Sequence, residues 1–210
     1  MSKIVITGSA SGIGREVAKK LSDSGHEIIS IDLRDADIIA DLSTSEGRQK
    51  AIADTLEKTG SGIDILITAA GMGGHLADGK LVMIVNYFGT VELLDGFFPA
   101  MKGRAGAAAL ALSSNSAQMG VDPENELVKA LLAHDEQAAI DVVGDMPSAA
   151  TYGLSKHAVA RAVRRRAHEW GTAGVRLNAI APGMTETPIS SKKCFARTHP
   201  GFCLFTILIK

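Results

Sequence analysis

Aromatic residues make up only 4% of this 210-residue chain, cysteines number two, and the formal charge nearly cancels at -1. Each scarcity excludes something. Without a basic excess there is no electrostatic case for nucleic acid or for an anionic membrane surface. Cys194 and Cys203 both lie near the C-terminus and make neither a disulfide framework nor a metal-ligand cluster, so no metal is expected. No apolar run approaches the ~20 residues that span a bilayer. The N-terminus enters Lys3-Ile4-Val5-Ile6 at once, without a charged-then-apolar leader. Together these absences predict a soluble chain in a reducing, cytoplasmic setting, with neither nucleic acid nor membrane as a partner.

Ala, Gly, Val, Ile and Leu dominate instead, and hydrophobic residues reach 46% against 21% charged. That balance suits one compact domain whose parallel strands are buried on both faces. Strand patterns occupy residues 4–7, 27–32, 38–41, 63–69, 107–113 and 175–180. Helical patterns fill 14–24, ended by Gly25, then a stretch from a Ser43 or Thr44 cap through 58, then 83–101 and 152–170. Repeated βα units with right-handed crossovers predict an α/β fold, a doubly wound parallel sheet in a single domain. The rhythm breaks over about 118–148, where Leu127, Leu131, Leu132, Ile140, Val142 and Val143 read as one or two inserted amphipathic helices. A substrate-contacting segment and a structural flap are both open there.

A glycine-rich turn, Thr7-Gly8-Ser9-Ala10-Ser11-Gly12-Ile13-Gly14, joins the first strand to the first helix. In that context Gly8 permits the tight turn, Gly12 lets backbone approach a pyrophosphate, and Gly14 permits close helix packing. The helix N-terminus offers unpaired N–H groups and the positive end of its dipole to phosphates. Asp32 closes the second strand, where a carboxylate binds both ribose hydroxyls and repels a 2′-phosphate. A carboxylate that merely ends a strand is the competing interpretation. Arg34 nearby tolerates a phosphate in part, so NAD is expected and NADP admitted. Downstream, Tyr152 and Lys156 stand four apart, one helical turn on one face. An ammonium beside a phenol favours phenolate, lowering a tyrosine pKa from about 10 toward the working range. Such a tyrosine can exchange a proton with a carbonyl or hydroxyl oxygen. His157 reads as a flank residue, and Trp170 and Phe88 as core.

These motifs, in this order, resemble the short-chain dehydrogenase/reductase family over roughly residues 1–190. Thr7-Gly8 through Gly14 matches its cofactor turn, Asn86 its helix asparagine, Ser114 its serine, Tyr152 and Lys156 its active pair. Asn178-Ala179-Ile180-Ala181-Pro182-Gly183, with Thr185 and Thr187, is similar to its nicotinamide-binding segment. The insertion, Ile31-Asp32-Leu33-Arg34-Asp35-Ala36 and Asn86-Tyr87-Phe88-Gly89 are most similar to the bacterial 3α-hydroxysteroid dehydrogenase/carbonyl reductase branch. The resemblance implies a Rossmann fold, with a dinucleotide-binding catalytic domain over 1–189. It implies Tyr152 as acid/base, Lys156 as its electrostatic support and ribose ligand, and Ser114 as the hydrogen-bond partner of the substrate oxygen. Asn86 would help hold a water relay reaching Lys156. Cofactor contacts are implied for Gly8, Ser11, Gly12, Ile13, Gly14, Asp32, Asp41, Leu42, Ala70, Gly71, Tyr152, Lys156, Pro182, Gly183, Thr185 and Thr187. The preference for Ser114 over Ser113 rests on the family pattern alone; Ser113 and Ser116 read as capping or turn residues. Ala69 replaces the asparagine common in the family's Asn-Ala-Gly motif, a loss of strand stabilisation more than of chemistry.

The implied function is an NAD(P)-dependent oxidoreductase that interconverts a secondary alcohol and a ketone. Its small-molecule partner would be a 3α-hydroxysteroid or 3-oxosteroid, or another carbonyl compound such as a xenobiotic. The insertion is expected to cap the substrate cleft and cover a side of the Tyr152 helix, blocking the dimer that family members form through that helix. Residues 190–210 depart from the family's ending: 202–209 form a β-prone apolar run where a lid, a helix and a last strand are expected. That tail makes the family homodimer doubtful and predicts weak substrate capture and reduced solubility. A cofactor sensor without turnover, or an inactive truncated member of the same family, are the competing interpretations.

Overall fold

The computed structural model describes residues 1–60, 62–76, 78–118, 122, 124–183 and 185. The tail from residue 190, with its expected apolar strand and both cysteines, lies outside the described residues, as does Thr187. Six strands form one parallel sheet: β1 (Lys3–Thr7), β2 (Glu27–Asp32), β3 (Ile38–Ile39), β4 (Ile65–Thr68), β5 (Ala108–Leu112) and β6 (Arg176–Ile180). Their order is β3-β2-β1-β4-β5-β6. The strands read as unbroken apolar runs because both sheet faces are covered. Ile4, Ile6, Ile67 and Leu112 face α1 (Gly12–Asp23), through Ile13, Val17 and Leu21. Val5, Ile29, Leu66 and Ala109 join the larger core beneath α2 (Ser45–Thr59), α4 (Gly89–Met101) and α7 (Ser148–Thr172).

The chain winds outward from β1 to β2 and β3, then returns through α2 to place β4 on the other side of β1. The strand order therefore reverses between β1 and β4. In a doubly wound sheet a crevice opens at that switch point, beyond the carboxyl ends of the strands. The cap of α2 is Thr44, whose hydroxyl accepts from Gly47 N–H at 3.0 Å, which decides between Ser43 and Thr44.

The third helical pattern starts earlier than its apolar periodicity suggested. Asp78 accepts from Leu81 N–H at 3.0 Å and starts α3 (Gly79–Met83), which passes through a π-helical turn, Ile84–Phe88, into α4. The continuous stretch Gly79–Met101 is, against the expectation from sequence, 23 residues long and apolar enough by composition to cross a membrane. Its apolar window is 61% buried, and Leu93, Leu94 and Phe97 are wholly enclosed in the core, which accounts for the composition. Trp170 and Phe88 are core residues as expected, the former stacked on Phe98 with centroids 4.7 Å apart.

The inserted segment contains α5 (Glu126–Leu132) and α6 (Glu136–Val143). Leu127, Val128 and Leu131 are fully buried in the same core as Val159 and Val163 of α7. Arg165 of α7 donates to the Leu132 carbonyl at 3.0 Å. The insertion thus spends its apolar face on the flank of α7.

Candidate active site

A cleft of about 590 Å³ opens at the switch point, within the size range of small-molecule sites. Its first wall is the turn from β1 into α1. Gly8 has φ of 72°, and a Cβ there would lie 2.6 Å from the Ala70 nitrogen, so only glycine lets the ends of β1 and β4 come this close. A Cβ on Gly14 would collide with the Gly8 carbonyl oxygen, so α1 packs directly on its own turn. Ser11 places no side-chain hydrogen bond on the helix N-terminus, which leaves the first backbone N–H groups of α1 facing the cleft. Asp32 sits at the adjoining corner. Its two carboxylate oxygens accept from Ala10 N–H at 2.9 Å and Leu33 N–H at 2.7 Å, which fixes the group while leaving further lone pairs toward the cleft.

The opposite end is built from β5 and α7. Lys156 is 4% exposed, and its Nζ donates to the Leu112 carbonyl at 2.9 Å. Burial pushes its ammonium pKa down to about 8. Ser113 donates its hydroxyl to the Lys156 carbonyl at 2.8 Å, tying α7 to β5. The Ser114 hydroxyl donates to Asn115 Oδ1 over a long 3.4 Å and accepts from Ser116 N–H at 3.2 Å. The two neighbouring serines, inseparable by residue chemistry, both line the cleft but differ in what they hold: the Ser113 hydroxyl fastens the lysine's helix, whereas that of Ser114 bonds only within its own turn.

Gly8, Ser11, Gly12, Ile13, Gly14, Asp32, Asp41, Leu42, Ala70, Gly71, Ser114, Tyr152, Lys156, Pro182, Gly183 and Thr185 all line this one cleft. Asn86 stands behind the wall. It is fully buried in the π-helical turn, accepts from Met72 N–H at 2.8 Å, and donates to the Met72 carbonyl at 3.0 Å. It reaches the lysine across Gly71, where a Cβ would lie 2.9 Å from Asn86 Oδ1 and 3.3 Å from Lys156 Nζ. His157 hydrogen-bonds the Ala117 carbonyl at 2.8 Å on the flank of α7.

The run Met72-Gly73-Gly74-His75 after β4 also lines the cleft and was not anticipated. Its signal was a glycine-rich stretch following a strand, the place where open α/β sheets put ligand contacts. The inserted helices do not fulfil the expected capping role: no described residue between 119 and 148 lines the cleft. The buried apolar side chains of α5, Leu127, Val128 and Leu131, are instead packed into the core shared with α7.

The sequence of residues 2–125 matches the family model for short chain dehydrogenases, and residues 137–198 match that for Enoyl-(Acyl carrier protein) reductase. The chain is 49% identical over 193 residues to the 3-alpha-hydroxysteroid dehydrogenase/carbonyl reductase of Comamonas testosteroni, covering 90% of this chain and 75% of that protein. It is 33% identical over 199 residues to a Pseudomonas coniferyl-alcohol dehydrogenase, covering 89% of this chain and 74% of that one. Its fold superposes on the 3-alpha-hydroxysteroid dehydrogenase from Pseudomonas sp. B-0831, solved with NADH, with a TM-score of 0.87 at 43% identity, over 90% of this chain and 74% of that one. The chain therefore spans about three quarters of the length of these relatives. With the switch-point cleft, the glycine turn and the Ser/Tyr/Lys wall in place, these matches make the chain an oxidoreductase of the short-chain dehydrogenase family.

Proposed function

We propose that this chain uses NAD, with NADP admitted, to interconvert a secondary alcohol and a ketone, and that its substrates are 3α-hydroxysteroids with their 3-oxo counterparts and related carbonyl compounds. One observation carries this above all: a single cleft at the β1/β4 switch point gathers a phosphate-type helix N-terminus, a fixed carboxylate, and Ser114, Tyr152 and Lys156. The donor set suits a dinucleotide. Free N–H groups at the start of α1 match a pyrophosphate, and the anchored Asp32 matches ribose hydroxyls while opposing a 2′-phosphate. The bound nicotinamide would supply the hydride chemistry. Lys156 would hold the adjoining ribose, and Pro182, Gly183 and Thr185 would flank the nicotinamide end.

Tyr152 exchanges the proton with the substrate oxygen. Ser114, whose hydroxyl is only weakly engaged, hydrogen-bonds that oxygen where charge develops. Lys156 in its ammonium form supports negative charge on the Tyr152 oxygen one turn away. Asn86 fixes the Met72 loop and stands beside Lys156 across Gly71, the position from which it would hold a water leading to the lysine. The steroid assignment rests on the 49% relative named above, and the apolar sweep of the cleft wall, with Leu112, Met72 and Val85, suits a rigid hydrocarbon. The test is turnover of a panel of 3α-hydroxysteroids and small secondary alcohols with NAD and with NADP, followed by NADH or NADPH absorbance. Steroid oxidation with NAD preferred is expected. Turnover confined to polar polyols, or a clear preference for NADP, contradicts the substrate or the cofactor assignment respectively.

A further inference from the structure

We propose that Arg48 is a positioning residue that fixes the adenosine end of the cleft and ties it to the inserted helices, so that dinucleotide affinity depends on Glu136, a residue outside the cleft. This rests on the dinucleotide assignment above. Arg48, on α2, is 1% exposed, and its guanidinium serves acceptors from three separate parts of the chain. Nη1 donates to the Leu42 carbonyl at 3.3 Å, Nε to Glu92 of α4 at 2.8 Å, and Nη2 to Glu136 in the first turn of α6. The same group lies 5.8 Å from the centroid of the Phe88 ring, where cation–π attraction adds to its fixation.

Leu42 is the point of contact with the cleft, whose wall it forms with Ala40 and Asp41. Its side chain seats against Gly89, where a Cβ would lie 3.2 Å from the Leu42 Cβ. The backbone beyond it is wound tightly: Asp41 accepts from Ser43 N–H at 2.9 Å, and Thr44 caps α2 through Gly47. With its side chain seated and the next turn closed, the remaining freedom of Leu42 is its carbonyl, which Arg48 holds. A guanidinium can bridge three acceptors at fixed angles because its donors form a rigid planar fork; an ammonium cannot. The orientation of that fork is set by two carboxylates, Glu92 on Nε and Glu136 on Nη2. Neutralising Glu136 removes the charge that draws Nη2 toward α6, so the guanidinium turns toward Glu92 and the Leu42 carbonyl loses its donor. The inserted helices thereby contribute to the cofactor wall without lining it.

Two fragments separate this from a general loosening: ADP-ribose probes the adenosine half, and reduced nicotinamide mononucleotide the other half. Their affinities, and that of NADH, are measured by calorimetry or nicotinamide fluorescence on wild type, Glu136→Gln and Arg48→Lys, with the unfolding midpoint of each. Glu136 has a partly exposed side chain (31%), so its isosteric amide keeps the experiment decisive if Arg48→Lys folds poorly. Both variants are expected to weaken ADP-ribose and NADH roughly 3–30-fold, as couplings through shared networks do, and to leave the mononucleotide within about twofold. A Glu136→Gln protein that binds ADP-ribose like wild type overturns the inference, and so does an equal loss for both fragments. Failure of the wild type itself to bind NADH or ADP-ribose overturns the dinucleotide assignment, and the inference with it.

Discussion

Asp32 and Lys156 hold the two ends of the cleft by opposite means. Two backbone N–H donors fix the position of the Asp32 side chain at the corner of β2. On the proposed assignment, its replacement by alanine would remove a ribose acceptor and the charge that opposes a 2′-phosphate. Asp32→Ala is expected to lower NAD affinity by one to two charged hydrogen bonds, about 10- to 100-fold, and to shift the NAD/NADP ratio toward NADP. Fluorescence titration with NADH and NADPH checks this, and an unchanged ratio contradicts it. Lys156 is instead uncomfortable when charged, because burial holds its pKa at about 8. In the unfolded chain a lysine titrates near 10.4. Between these values the unfolded state binds more protons, so folding stability rises with pH across that window and is lowest below it. Relative to Lys156→Met, the cofactor-free wild type should gain on the order of 1–3 kcal/mol of unfolding free energy from pH 7.5 to 10, read from urea titrations. A pH dependence identical in the two proteins contradicts the buried, shifted lysine. At this scale the sequence was legible where a motif names its residues, as at Gly8, Asp32, Tyr152 and Lys156. It was silent on Ser113 and Ser114, because the bond from Ser113 to the Lys156 carbonyl spans 43 positions.

Elements were readable to within a residue or two for β2 and for α1 before Gly25, whereas the helix expected over 152–170 runs Ser148–Thr172, starting four residues earlier and passing through Gly171. They were less readable where a side chain decides the boundary. Asp78 starts a helix that its apolar pattern places four residues later, and a π-helical turn, a feature often found at functional sites, interrupts the helix where Asn86 needs to face Met72. Arg48 was invisible for a different reason: its partners Glu92 and Glu136 lie 44 and 88 residues away. The inserted helices were legible as amphipathic, but their destination was not, since a hydrophobic face does not announce which surface it covers. With α5 seated on α7 through Leu127, Val128 and Leu131, we expect that α7 does not pair with a second copy across a two-fold axis. A structure of the assembly with two such helices in contact contradicts this.

For the whole molecule, the sheet order brings the chemistry together. Residues 8–14, 32, 114, 152, 156, 182, 183 and 185 share no local sequence, yet each stands at or just beyond the carboxyl end of a strand or on α7 beside it. Alternation of β and α patterns was enough to expect the doubly wound sheet, and the doubly wound sheet was enough to expect the cleft. What it could not convey was the wall formed by Met72-Gly73-Gly74-His75, whose place depends on the buried Asn86 behind it. The central claim is that this cleft holds a dinucleotide through its β1 end while Tyr152 moves the proton at the other. The measurement that tests it most directly compares Tyr152→Phe with wild type, reading NADH affinity by fluorescence and kcat for a 3α-hydroxysteroid from the same preparation. Loss of the phenolic oxygen should reduce kcat by at least about 10²-fold, the scale of a general acid–base contribution, with NADH affinity nearly intact; a phenylalanine variant that turns over as fast as wild type contradicts the claim.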